Sequence, residues 1–220
     1  GFTFDGCKVD GGFQLALSNG NADVTFQNNV LGATSKDGMI NLQAGSVSNL
    51  VANYNFGEAY QSIRFIRTEK NTVVDGFTTI GNDITGTAAH YDFLNCQGIL
   101  KGKVVIADNK FVNSQQSFIY VINVGVIDCL ISGNYVESTA NTIIDFRDMK
   151  EDGANKFVIE YNEFVAAGAG WMPIRIRTAG YDANGSCAVL VENNKLIESY
   201  YDGDGGVPQF VRDNGGNVID

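Results

Sequence analysis

The stretch VVIADNKFVN (104–113) is rewritten along the chain, and that repetition limits the fold more than any other feature. Later copies are CLISGNYVES (129–138), FVIEYNEFVA (157–166) and VLVENNKLIE (189–198); VTFQNNVL (24–31) is a looser earlier one. Each has apolar residues at alternate positions, then mostly polar residues, an Asn and another apolar residue. The Asn positions are 29, 109, 134, 162 and 194, and the last four are spaced 25, 28 and 32 apart. Recurrence at this period marks a solenoid, in which each unit buries its apolar side only against its neighbours.

A second family of strand-like segments runs between these copies: FQLALS (13–18), MINLQ (39–43), SIRFIR (62–67), HYDFLN (90–95), SFIYVIN (117–123), TIIDFR (142–147), MPIRIR (172–177) and PQFVR (208–212). Aligned on their last polar residues, they advance in steps of 25, 24, 28, 28, 24, 30 and 35. Both families therefore progress together, once per coil, as parallel strands do when coils stack. About eight coils at roughly 4.8 Å each would make a stack on the order of 40 Å long. Ile106, Ile131, Ile159 and Val191 are expected in one inward column. Phe146, Ile176 and Val211 are expected in another, beside Ile66, Leu94 and Ile122. The recurrent Asn is expected as a ladder in the turn after each strand, because Asn tolerates left-handed backbone and its amide can bond the Asn above and below.

Composition agrees with strands and tight turns: 26 Gly, 2 Pro, 14 Phe and 9 Tyr in 220 residues. A formal charge of −10 argues against nucleic acid as the main partner. No apolar run approaches the roughly 18 residues of a membrane span. Cys7, Cys96, Cys129 and Cys187 lack metal-type spacing and read as small packed residues rather than a disulfide framework.

The xIxxNxF pattern in VVIADNKF, CLISGNYV, FVIEYNEF and VLVENNKL resembles the right-handed parallel β-helix of the pectate-lyase-like superfamily, and the repeats span most of the chain. The resemblance implies one all-β domain over residues 1–220, a single-stranded right-handed parallel β-helix. It is similar to secreted bacterial β-helix proteins of unassigned activity, which implies an extracellular or cell-surface location. The weak ends, GFTFDG and GGNVID, read as a segment of a longer surface protein with flanking domains. A leucine-rich repeat is the rival architecture, but its helices have no counterpart between the Asn positions.

Three features offer chemistry. The outward column ending the second-family strands reads Arg67, Asn95, Asn123, Arg147, Arg177 and Arg212, with Asp145 and Arg175 two residues back on the same face. A row of guanidiniums suits carboxylate or sulfate groups of an acidic glycan; the alternative is pairing with nearby carboxylates such as Asp145. Asp182 with Asn184, and Asp202 with Asp204, place oxygens two residues apart in Gly-rich loops, as calcium loops do. Calcium is the one cofactor the sequence offers, although turn chemistry alone explains these residues. Trp171, Tyr200 and Tyr201 lie in loops where a sugar ring could stack or where the ring could cover the scaffold.

Within the resembled superfamily, hydrolases of the polygalacturonase type carry paired Asp, Gly-His-Gly and Arg-x-Lys. This chain has RIRT at 175–178, and its only histidine is His90. The lyase type uses an Arg or Lys base with calcium; Arg147, Arg175 or Arg177 would be the base, with Asp145 and Glu160 nearby. The preferred reading is a non-catalytic surface module that binds carbohydrate, or another host or cell-surface polymer, or spaces an adhesive protein. The alternative is a polysaccharide lyase, or less readily a hydrolase, acting on an acidic glycan. A phage-type fibre segment would require a homotrimer.

Overall fold

The computed structural model describes residues 1–32, 38–59, 64–86, 92–140, 142–149, 155–165, 174–178, 187–197 and 215–219. Among these there are only strands and turns, and all the strand pairings are parallel. The molecule is a parallel β-solenoid. Among the described residues, no helix is long and apolar enough to cross a membrane. The leucine-rich alternative fails on the absence of helices among the described residues.

The two strand families do not form separate sheets. They run together in long strands such as Leu94–Ala107 and Ile119–Ser132, within one 11-stranded sheet. Register irregularities after Cys96 and Leu100 let the long strand turn between its two halves. The residues after each Asn make the second, 9-stranded sheet, as in Lys110–Ser114 and Tyr135–Ser138.

Apolar columns fill the interior. Ile106, Ile131, Ile159 and Val191 are successive register partners and all are buried, as the repeat predicts. The other column needs correction. Ile66 and Leu94 align with Ile119, Ile144 and Ile174, whereas Phe146 and Ile176 align with Val121, and Val121 with Cys96. Ile122 is only half-buried and belongs to neither column. The rings of Phe65, Phe93 and Phe118 pack in tilted contact, with centroids 4.9 and 4.8 Å apart, just before these strands. Five successive turns, from Val24 to Phe146, bury their inward residues throughout, while the turns beyond include half-buried inward residues such as Ile176 and Val189 and are only partly described. The regular solenoid is thus about five turns rather than the eight expected.

The Asn ladder stands at the corner between the two sheets. Asn29, Asn55, Asn82, Asn109, Asn134, Asn162 and Asn194 each donate a side-chain amide to the carbonyl oxygen of the next Asn side chain, ending at Asn217. The same oxygen also accepts the backbone N–H, as Asn134 does from Asn109 at 3.0 Å. Asn55, Asn82 and Asn217 extend the set beyond the five read from the motif. Just before each Asn the backbone is left-handed, at Asn28, Tyr54, Gly81, Asp108, Gly133, Tyr161, Asn193 and Gly216, with φ from 53° to 69°. Gly and Asn tolerate this conformation best, which explains the dipeptides NN, GN and DN.

All four cysteines are free. Burial pushes the Cys96 thiol up to about 11 and raises Cys129 as well, so neither is a nucleophile at neutral pH.

Candidate functional site

The outward face of the first sheet carries the polar residues that the fold does not need. Strand alternation sends Arg67, Asn95, Tyr120, Asp145 and Arg175 outward, and these five are successive register partners. The expected row of Arg67, Asn95, Asn123, Arg147 and Arg177 is therefore not a column. Alignment on the last polar residue slid the strand of Asn123 by three positions and those of Arg147 and Arg177 by two. A two-residue slip keeps every side chain on its own face, so alternation alone does not expose it.

Arg147 lies two residues beyond Asp145 and folds back over it. Its Nε donates to Asp145 Oδ2 at 2.7 Å, and its guanidinium lies 4.6 Å from the centre of the Tyr120 ring. From the next turn, Arg175 donates Nε to Asp145 Oδ1 at 2.9 Å and Nη2 to Oδ2. Asp145 is 1% exposed at its side chain, while those of Arg147 and Arg175 remain 27% and 30% exposed. The carboxylate is thus covered by two cations that keep one side toward solvent. Burial works to raise the Asp145 carboxyl, but the hydrogen bonds from Arg175 and Arg147 outweigh it and hold the group below its ordinary range.

These residues form one end of an open groove of about 360 Å³. Asn95 and Tyr120 form its centre, and Arg64 and Asp92 the other end. Arg64 Nε sits 3.3 Å from Asp92 Oδ2, and Asn95 donates to the same oxygen at 2.7 Å. Here burial wins, and the Asp92 carboxyl is raised despite the opposing Asn95 and Arg64 contacts. The pairing with carboxylates that the sequence offered as the alternative is what joins Asp145, Arg147 and Arg175.

Arg177 lies in the strand Ile174–Thr178, with its side chain outside the described residues. Arg212, Trp171, Tyr200, Tyr201, Asp182, Asn184, Asp202, Asp204, Val211 and His90 also lie outside them. No group of three acidic, His or Cys side chains among the described residues is placed to hold a metal. Glu160 pairs in register with Ser132 and Glu192, not with the strand that carries Arg147. Arg64, Asp92 and Tyr120 were missed as groove residues. A repeated triplet would have found Arg64 and Asp92, and Tyr120 one residue past its end: RFI (64–66), DFL (92–94), SFI (117–119) and TII (142–144) share one register, with the polar residue at the groove.

The molecule is defined as a parallel β-solenoid with an arginine-rimmed groove on one face. No family model, curated protein or solved structure matches the chain.

Proposed function

We propose that this chain is a non-catalytic carbohydrate-binding module of an extracellular or cell-surface protein, built on a pectate-lyase-like β-helix, and that its groove takes an acidic glycan. The observation that carries this reading is the pair of guanidiniums held over one buried carboxylate. Asp145 neutralises one of the two charges, so the Asp145–Arg147–Arg175 cluster presents a net positive charge on a chain of −10. Planar guanidiniums fixed in this way suit carboxylate or sulfate groups. Both arginines already donate their N–H groups to Asp145, which suits holding an anion and speaks against a lyase base.

An enzymatic reading draws on one observation, two groove carboxylates shifted in opposite directions. Asp145 aligns with Tyr120 and Asn95, so Asp92 stands two turns and three residues from it. That is a backbone offset of roughly 14 Å. Each carboxylate is also engaged by arginine, Asp92 by Arg64 and Asp145 by Arg147 and Arg175, which favours binding over hydrolysis. The test incubates the protein with uronate and sulfated polysaccharides, with calcium present, and measures retardation in polysaccharide-containing gels alongside unsaturated products and reducing ends. A binding module shows salt-sensitive retardation without product, weakened about tenfold or more by Arg147→Ala with Arg175→Ala. Product that disappears in the same variants would establish the enzyme instead.

A further inference from the structure

The corner that carries the Asn ladder has two residues that break its own rule. Every turn needs left-handed backbone there, and Gly, Asn or Asp supplies it at most positions. Tyr54 and Tyr161 adopt it at φ 54°, with side chains that the conformation disfavours. Both are also among the most exposed large side chains, at 61% and 62%. A bulky ring that is strained and uncovered contributes little to the fold, and strain of this kind concentrates at ligand contacts.

The two rings belong to one column. Corner backbone hydrogen bonds run from Tyr54 to Ile80 O, Gly81 to Ala107 O, Asp108 to Ser132 O and Gly133 to Glu160 O, so Tyr54, Gly81, Asp108, Gly133 and Tyr161 follow one another turn by turn. The tyrosines are four turns apart, roughly 19 Å along the axis. Between them the floor is low, being Gly, Asp and Gly. The adjoining outward column of the second sheet repeats the arrangement: Phe56, Asp83, Lys110 and Tyr135 are successive register partners. Exposed Phe56 lies beside Tyr54, half-buried Tyr135 lies one turn before Tyr161, and Asp83 and Lys110 pair at 3.3 Å between them. Tyr54 does lean on Gly81, whose added Cβ would come within 2.6 Å of the ring, but its outer face stays open.

The geometry points to a second carbohydrate surface along this corner, on which a linear neutral polysaccharide lies parallel to the solenoid axis with sugar rings stacked on Tyr54 and Tyr161. A protein partner would need a continuous apolar centre; here the centre is glycine, Asp108 and an ion pair. An acidic glycan would meet Asp108 and Glu163 without the guanidiniums of the groove. Neutral sugars offer apolar ring faces for the aromatics and hydroxyls for the polar floor. The surface uses different residues from the groove and stands or falls separately from it.

The test is gel retardation by mixed-linkage β-glucan, xylan and galactomannan. Tyr54→Asn and Tyr161→Asn suit the backbone, since Asn fills the same corner at Asn28 and Asn193. Retardation by at least one of the three polymers is expected, reduced several-fold by either substitution and more than tenfold by both. The melting temperature should hold or rise, and Arg147→Ala with Arg175→Ala should leave this retardation unchanged. No retardation by any of the polymers overturns the proposal, as does equal binding by the double variant or lost binding that tracks a lower melting temperature. A concentration-dependent dimer that the double variant abolishes would assign the corner to self-association and overturn it as well.

Discussion

The Asn corner and the arginine groove both hold polar groups away from water, yet they are built in opposite ways. At the corner one residue type makes the same bonds turn after turn. In the groove, Arg64–Asp92 and Arg147–Asp145–Arg175 each occur once. Every turn poses the same backbone problem, a buried N–H with no strand partner, and the next Asn oxygen solves it. No turn poses the problem that Asp145 solves. A polar group that repeats with the fold is answering the fold; one that does not repeat is free to answer a ligand.

Removing one rung gives the strongest test of that contrast. Asn109 Oδ1 accepts both the backbone and the side-chain N–H groups of Asn82, and its own amide reaches Thr79 O at 3.0 Å. Asn109→Ala would strand the buried Asn82 backbone N–H and break a chain of mutually polarised amides. The expected loss is about 3–4 kcal/mol, read as a shift in the urea midpoint. A loss below about 1 kcal/mol would mean that the ladder follows the fold rather than holding it.

The same contrast governs what could be read from the sequence. The solenoid, the buried Ile106 column and five of the ladder asparagines were legible because they recur with the coil. The groove was not, because its contents differ at each turn and only register places them together. Aligning terminal polar residues put Arg147 level with Arg67, whereas the structure puts Asp145 there. The aromatic or aliphatic residue between the polar and inward positions, Phe65, Phe93, Phe118 and Ile143, fixes the register. Asn55 and Asn82 escaped notice because Ala52 and Thr79 stand in the inward column where the recognised later copies carry Ile or Val.

Asp145→Ala carries the next largest effect. It leaves two guanidiniums crowded over a vacated site, though both retain solvent contact, so the expected loss is roughly 1–3 kcal/mol. Glycan retardation should fall with it. The two groove carboxylates should also differ in pH response. The folded carboxyl of Asp145 is depressed below 3.8, so its stabilising contribution is present above 3.8 and lost as pH falls through the folded value. That of Asp92 is raised above 3.8, so its contribution is present below 3.8 and lost as pH rises through the folded value. Urea midpoints measured across about pH 3 to 7 should then lose part of their acid-side fall in Asp145→Asn and part of their opposite slope in Asp92→Asn. Identical profiles for the two variants would show that the groove does not separate them.

The smallest effect belongs to Lys101, which pairs with Asp75 at 3.1 Å on the neighbouring turn. Like Asp145 with its arginines, this is an outward ion pair bridging turns. Unlike them, both side chains are about half exposed, so water already satisfies each charge and ordering the lysine costs entropy. Lys101→Ala is expected to change stability by less than about 0.5 kcal/mol and to leave retardation on acidic and neutral glycans unchanged. A loss comparable to that of Asp145→Ala would mean that bridging successive turns is itself what matters. The Asp145 cluster would then be one strut among several, and its arginines would no longer stand out as groups held ready for a ligand.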